Sequence, residues 1–206
     1  ETHGRGEAHE QVARNMATVF ALLVPAAAGL WFILPSIAAL IVPQAFRGPF
    51  GHYLTLLLPG LLSFGFMNFA INAFFQIDKR TLPLIAAAVI ACVVNAALVF
   101  ALPRGVDASH LALAQSGAFM IAFLALAGCA AVGGAKWPAL RDLLLTLVAT
   151  AAMAAALWPM RTWAPGVLTC AMQIVVGGAI YGLAAAIFDI AGLRSAAANA
   201  LAKLRR

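Results

Sequence analysis

The sequence predicts an all-α, polytopic membrane helix bundle of six transmembrane helices, with both termini on the cytoplasmic side. Three observations predict it. Hydrophobic residues make up 64% of the 206 residues and charged residues only 10%, against about 45–50% and about 25% in soluble domains. So few charges do not cover a soluble surface of this size. Six apolar runs (18–42, 54–77, 82–103, 111–132, 143–160 and 167–188) contain no Asp, Glu, Lys or Arg. A hydrocarbon core of about 30 Å needs about 20 helical residues, and these runs supply them. The basic residues, finally, alternate between rich and poor loops.

The same composition excludes disorder, a disulfide scaffold and nucleic-acid binding, despite a net charge of +6. A β-barrel is excluded because the runs do not alternate polar and apolar residues. Cys92, Cys129 and Cys170 each lie inside an apolar run without a partner at metal-ligand spacing. They read as small buried apolar residues.

The elements follow in chain order. Residues 1–17 carry Glu7, His9, Glu10 and Arg14 and are expected as a cytoplasmic leader running helically into span one. Span one is too long for a signal-peptide core and lacks a cleavage site before span two. Pro25, Gly29 and Pro35 predict a hinge in it, because each proline ring removes a backbone hydrogen bond. Span two holds Gly65, Asn68, Asn72 and Gln76 at intervals of three or four residues, which places them on one face. Span three starts at Pro83 and contains Asn95; span four opens with Gln115 and Ser116. Span five is the shortest, with Arg141 and Asp142 at its mouth in reach of headgroups. Span six contains Gln173 and a GxxxG at Gly178 and Gly182, a spacing that lets two helices approach closely. The six spans form one lobe over 18–190. In the tail, 191–206, Leu193, Ala197, Leu201 and Leu204 share a face while Arg194, Lys203, Arg205 and Arg206 lie elsewhere. That pattern predicts a basic amphipathic helix on the inner leaflet.

With a cytoplasmic N-terminus, the inside segments hold Arg5, Arg14, Lys79, Arg80, Lys136, Arg141, Arg194, Lys203, Arg205 and Arg206. The outside loops hold Arg47, Arg104 and Arg161, a bias of ten to three. Basic residues mark the cytoplasmic side.

Function is written mostly in amides. Asn68, Asn72, Gln76, Asn95 and Gln115 sit at membrane depth, where an amide needs a partner and does not face lipid. They read either as a polar cavity for sugar hydroxyls or a pyrophosphate, or as interhelical bonds of about 0.6–2 kcal/mol each. No Asp, Glu, Lys, Arg or His lies within the six runs, and His3, His9, His52 and His110 lie in the leader or outside loops. That argues against proton pumps, voltage sensors and intramembrane proteases. With no HExxH, paired carboxylates, Ser–His pair or GxxxxGK[ST], the sequence predicts no enzyme, catalytic residue, metal or cofactor.

Two stretches resemble a known family. They are LLVPAAAGLWFILPSIAALIV (22–42) and LTLLLPGLLSFGFMNFAINAFFQIDKRTLPLIAAAVIACVVNAALVFALP (54–103). With the turn Asp78–Lys79–Arg80–Thr81, Asn95 and the helix start ALAQSGAFM (112–120), they are similar to the C-terminal half of polysaccharide and lipid-linked oligosaccharide flippases. These belong to the MOP exporter superfamily, with the lipid II flippases and MATE exporters. The turn looks more like the O-antigen and exopolysaccharide branch.

The resemblance implies a larger two-lobe transporter of about fourteen helices, of which these are the last six. A start at Glu1 without methionine fits that expectation. It implies translocation of a polyprenyl-pyrophosphate-linked glycan across the bacterial inner membrane by alternating access. Asn68 and Asn72 would line the cavity, the last two spans would offer a groove for the lipid tail, and Lys79 and Arg80 would attract the pyrophosphate or simply fix topology. The implied partners are the bilayer, the lipid-linked glycan, and an N-terminal lobe or partner chain. Two rival readings remain at this level: a stand-alone six-helix scaffold subunit, and a MATE-like drug exporter lobe, which the lack of a membrane-depth carboxylate disfavours.

Overall fold

A computed structural model describes residues 2–103, 108–192 and 194. Every regular element among them is helical, and six helical stretches are long and apolar enough to cross a membrane: Gly6–Ile41, Gln44–Ile77, Leu82–Ala101, Ser109–Val132, Leu140–Thr162 and Val167–Phe188. The chain is a multi-pass membrane helix bundle. Arg104, Leu193 and residues 195–206, and with them most of the expected amphipathic tail, lie outside the described residues.

The first helix, α1, is Thr2–Ile41 and runs unbroken through Pro25 and Pro35. The leader expected over 1–17 is thus helical from Thr2 and continuous with span one. Pro43, with extended backbone, ends this run before a short 3₁₀ turn, Gln44–Phe46. The next helix, α2, is Arg47–Phe66. It begins earlier than the apolar run at 54, because Gly48, Pro49, Gly51 and His52 are helical here without being apolar. Arg47 donates from Nε to the Val42 carbonyl at 3.0 Å and from Nη2 to the Ala39 carbonyl at 2.9 Å. A guanidinium thus satisfies acceptors that the end of α1 leaves free.

The second span continues through a widened π turn, Met67–Ile71, into α3, Asn72–Ile77. Helices α4 (Leu82–Ala101), α5 (Ser109–Val132), α6 (Leu140–Leu157) and α7 (Val167–Phe188) complete the bundle. Between α3 and α4, Lys79 sits at φ 54°, in the left-handed region. The Lys79 N–H donates to the Gln76 carbonyl at 3.1 Å and the Arg80 N–H to the Phe75 carbonyl at 2.9 Å. This is the Schellman helix ending, with lysine where glycine is usual. Gly134, at φ 80°, closes α5 in the same way, through Gly134 N–H to Ala131 and Ala135 N–H to Ala130.

The chain divides into two compact units. Unit one comprises Glu1–Val19 and Gly48–Trp137. Val12 and Met16 of α1 pack with Ile71, Phe74, Phe75 and Leu126 in its core. α5 packs chiefly on α4 and buries Ala114, Ala118 and Ala122 completely at i, i+4, i+8. A Cβ on Gly60 would come within 2.5 Å of the Ser116 Cα, and the Gly60 N–H donates to Ser116 Oγ at 2.9 Å. Only glycine permits this approach of α2 to α5.

Unit two comprises Phe20–Arg47 and Pro138–Arg206. The rest of α1 meets α6 and α7 here, with Phe32, Met153, Leu157 and Met160 in one cluster and Ala21, Ala149, Ala185 and Ile190 in another. The Arg161 guanidinium lies 4.0 Å from the Trp31 ring centroid and 5.4 Å from that of Trp158, an arrangement suited to cation–π attraction. In both units large apolar side chains face outward, among them Leu22, Phe100, Val132 and Leu168. Hydrocarbon is the solvent in which that surface carries no penalty.

Candidate functional site

Unit one contains a cavity of about 340 Å³, lined by Phe64, Met67, Asn68, Asn72, Cys92 and Phe119 among others. Its polar wall is the π turn. Asn68 lies inside that turn and Asn72 just after it, so the two amides expected to share a face do line one space. The Asn68 Nδ2 donates to the Phe64 carbonyl at 2.9 Å. Asn72 Oδ1 is buried and has no hydrogen-bond donor. Phe64 and Phe119 stand beside the amides, ring centroids 4.9 Å apart. No charged side chain lines this cavity. Phe64, Asn68 and Cys92 are exposed, so this space is an open groove, and the buried, unpaired Asn72 oxygen in its wall is a site for a neutral O–H or N–H donor.

The other amides are placed differently. Asn95 Nδ2 donates to Gln115 Oε1 at 3.1 Å, so those two satisfy each other between α4 and α5, and neither lines the cavity. Gln76 is exposed one turn beyond Asn72, and Lys79 and Arg80 are exposed on the turn that follows. None of the three lines the cavity.

Unit two contains a second cavity of about 310 Å³, lined by Pro25, Gly29, Met153, Gln173, Gly178 and Tyr181 among others. Two of the three expected hinge residues, Pro25 and Gly29, face it; Pro35 does not. Gln173 is only 3% exposed. Its Nε2 donates to the Met160 carbonyl at 3.4 Å, while Oε1 is buried without a donor. The GxxxG glycines differ from the expected packing role, since a Cβ on Gly178 or Gly182 meets nothing within 4 Å among the described residues. Gly177 makes the close approach instead, with a Cβ there 3.2 Å from Leu157 Cδ1.

Two residues that matter were not marked in the sequence. Tyr181 donates from its hydroxyl to the Ala21 carbonyl. Asn15 donates from Nδ2 to the Phe69 carbonyl at 2.9 Å, inside the π turn. A tyrosine in an otherwise apolar run, and an amide in a leader, were the available signals. Among the described residues, no three His, Cys, Asp or Glu side chains come together as a metal-binding group.

These features define a multi-pass membrane protein whose helices enclose small, mostly apolar cavities with a few amides. The fold is also seen in a transporter of known structure. A lipid II flippase, MurJ, in an inward closed conformation, superposes with a TM-score of 0.75 at 20% identity, over 89% of this chain. The chain spans 40% of that flippase's length. At this identity the likeness is one of fold. No protein-family model matches the chain, and no curated protein matches it. The neighbour belongs to the lipid II branch, so it lends nothing to the O-antigen and exopolysaccharide branch that the Asp78–Thr81 turn resembles.

Proposed function

We propose that this chain is one lobe of a bacterial inner-membrane flippase, with both termini cytoplasmic. The lobe is completed by a second lobe or partner chain and translocates a polyprenyl-pyrophosphate-linked oligosaccharide by alternating access. The observation that carries this reading is the amide-walled cavity of unit one in a flippase-like fold. Asn72 Oδ1 accepts a sugar hydroxyl or N-acetyl N–H, an exchange of partners that the desolvated wall otherwise lacks. The cavity holds no cation, so the pyrophosphate lies elsewhere, and Lys79 and Arg80 attract it at the cytoplasmic end. Pro25 and Gly29 provide the flexible part of α1 as the lobe rocks, and the apolar cavity of unit two takes part of the lipid tail.

The test is made in cells depleted of the native protein that carries this chain. The expected result is a lipid-linked glycan that accumulates on the cytoplasmic leaflet, out of reach of a glycosidase added to spheroplasts. A peptide-bearing disaccharide lipid assigns the lipid II branch and a peptide-free oligosaccharide lipid the other. An unchanged accessible fraction of both overturns the proposal.

A further inference from the structure

We propose that Asn15 is a positioning residue, holding open the π turn that carries the amide wall of the unit-one cavity. The second span is fixed at its two ends. On one side Gly60 is locked to Ser116, where even a methyl group would come within 2.5 Å of backbone. On the other, Phe74 and Phe75 are seated in the core at 1% and 2% exposure. Between these anchors the helix is wider by one π turn at Met67–Ile71. A π turn interrupts the regular i→i+4 ladder and is rare, so a hydrogen bond from another helix to a carbonyl within it is a specific support for that backbone.

Asn15 provides that support. Its Nδ2 reaches the Phe69 carbonyl at 2.9 Å, 54 residues away in sequence. Its own helix is held against unit one by buried Val12 and Met16, by His9 Nε2 to Asp78 Oδ1 at 3.3 Å, and by Lys136 to Glu10 at 2.8 Å. Asn15 is therefore delivered to the turn by a fixed scaffold rather than by a mobile loop. It sets the backbone from which both Asn68 and Asn72 project.

The placement of Asn15 is independent of the proposed function; its effect on transport rests on that function. The experiment measures hydrogen exchange and transport for Asn15→Ala, Asn15→Asp and Asn15→Gln in the native protein. Asn15→Ala and Asn15→Asp lose the donor, and Asn15→Gln keeps it. The expected result is exchange about fivefold or more faster over 67–73 in the first two, unchanged exchange over 145–157, and near-native behaviour in Asn15→Gln. If Asn15→Ala does not fold, the Asp and Gln pair carries the comparison. Exchange that is unchanged at 67–73, or that rises equally over 145–157, overturns the inference. Locally faster exchange with unimpaired lipid-linked glycan transport upholds the positioning role and contradicts the proposed cavity.

Discussion

The Tyr181 hydroxyl donates to the Ala21 carbonyl, the acceptor that Pro25, four residues on, leaves without a helical donor. A proline in a membrane helix frees a carbonyl that lipid does not satisfy. Here the donor comes from α7, so the weak point of α1 is also where α7 holds it within unit two. Tyr181→Phe strands the carbonyl and is expected to destabilise the protein by about 1 kcal/mol. Pro25→Ala returns an N–H to Ala21, so the cost of Tyr181→Phe should largely vanish in that background. Unfolding in detergent for the four-protein cycle checks this, and strictly additive effects would rule it out.

Glycine positions give a second expectation. Gly60→Ala pushes a methyl group onto the Ser116 backbone and should cost about 1–3 kcal/mol, as overpacking does. Gly178→Ala and Gly182→Ala meet open space, and should be neutral or stabilising by up to about 1 kcal/mol through helix propensity. Thermal unfolding of the three variants ranks them; a Gly182→Ala cost equal to that of Gly60→Ala would contradict the assignment.

Lys79 offers a third. Its φ of 54° strains a residue that carries a Cβ, and Lys79→Gly should stabilise by about 1 kcal/mol. Lys79→Gln removes the charge and keeps the strain. Comparing the two in transport and unfolding separates backbone from charge. The account expects slower transport in both variants and higher stability in the glycine variant alone.

The spans were legible because hydropathy and length decide them, and charge was absent from every run. Their edges were less so: Arg47 to Tyr53 is helical but too polar to join an apolar window. The pairing of Asn68 with Asn72 followed from helical spacing. The π turn did not, since it is set by tertiary anchors at Gly60 and Phe74 that no local pattern displays. Asn95 and Gln115 were readable as amides needing partners, but that they meet each other depends on α4 lying against α5. For Gly178 and Gly182 the motif was real and the contact fell one residue earlier, at Gly177.

The cavity itself is tested by Asn68→Leu combined with Asn72→Leu. Among the described residues Asn68 donates within its own span and Asn72 Oδ1 is unpaired, so the double change is expected to break no interhelical bond. The double variant should fold with stability within about 1 kcal/mol of the parent. The decisive measurement is its rate of moving a polyprenyl-pyrophosphate-linked oligosaccharide across vesicles reconstituted with the native protein. The account predicts flipping by the parent protein and a rate at least about tenfold lower, worth ~1.4 kcal/mol, in the equally folded double variant. Flipping at the parent rate in that variant, or a parent no faster than protein-free vesicles, would contradict it.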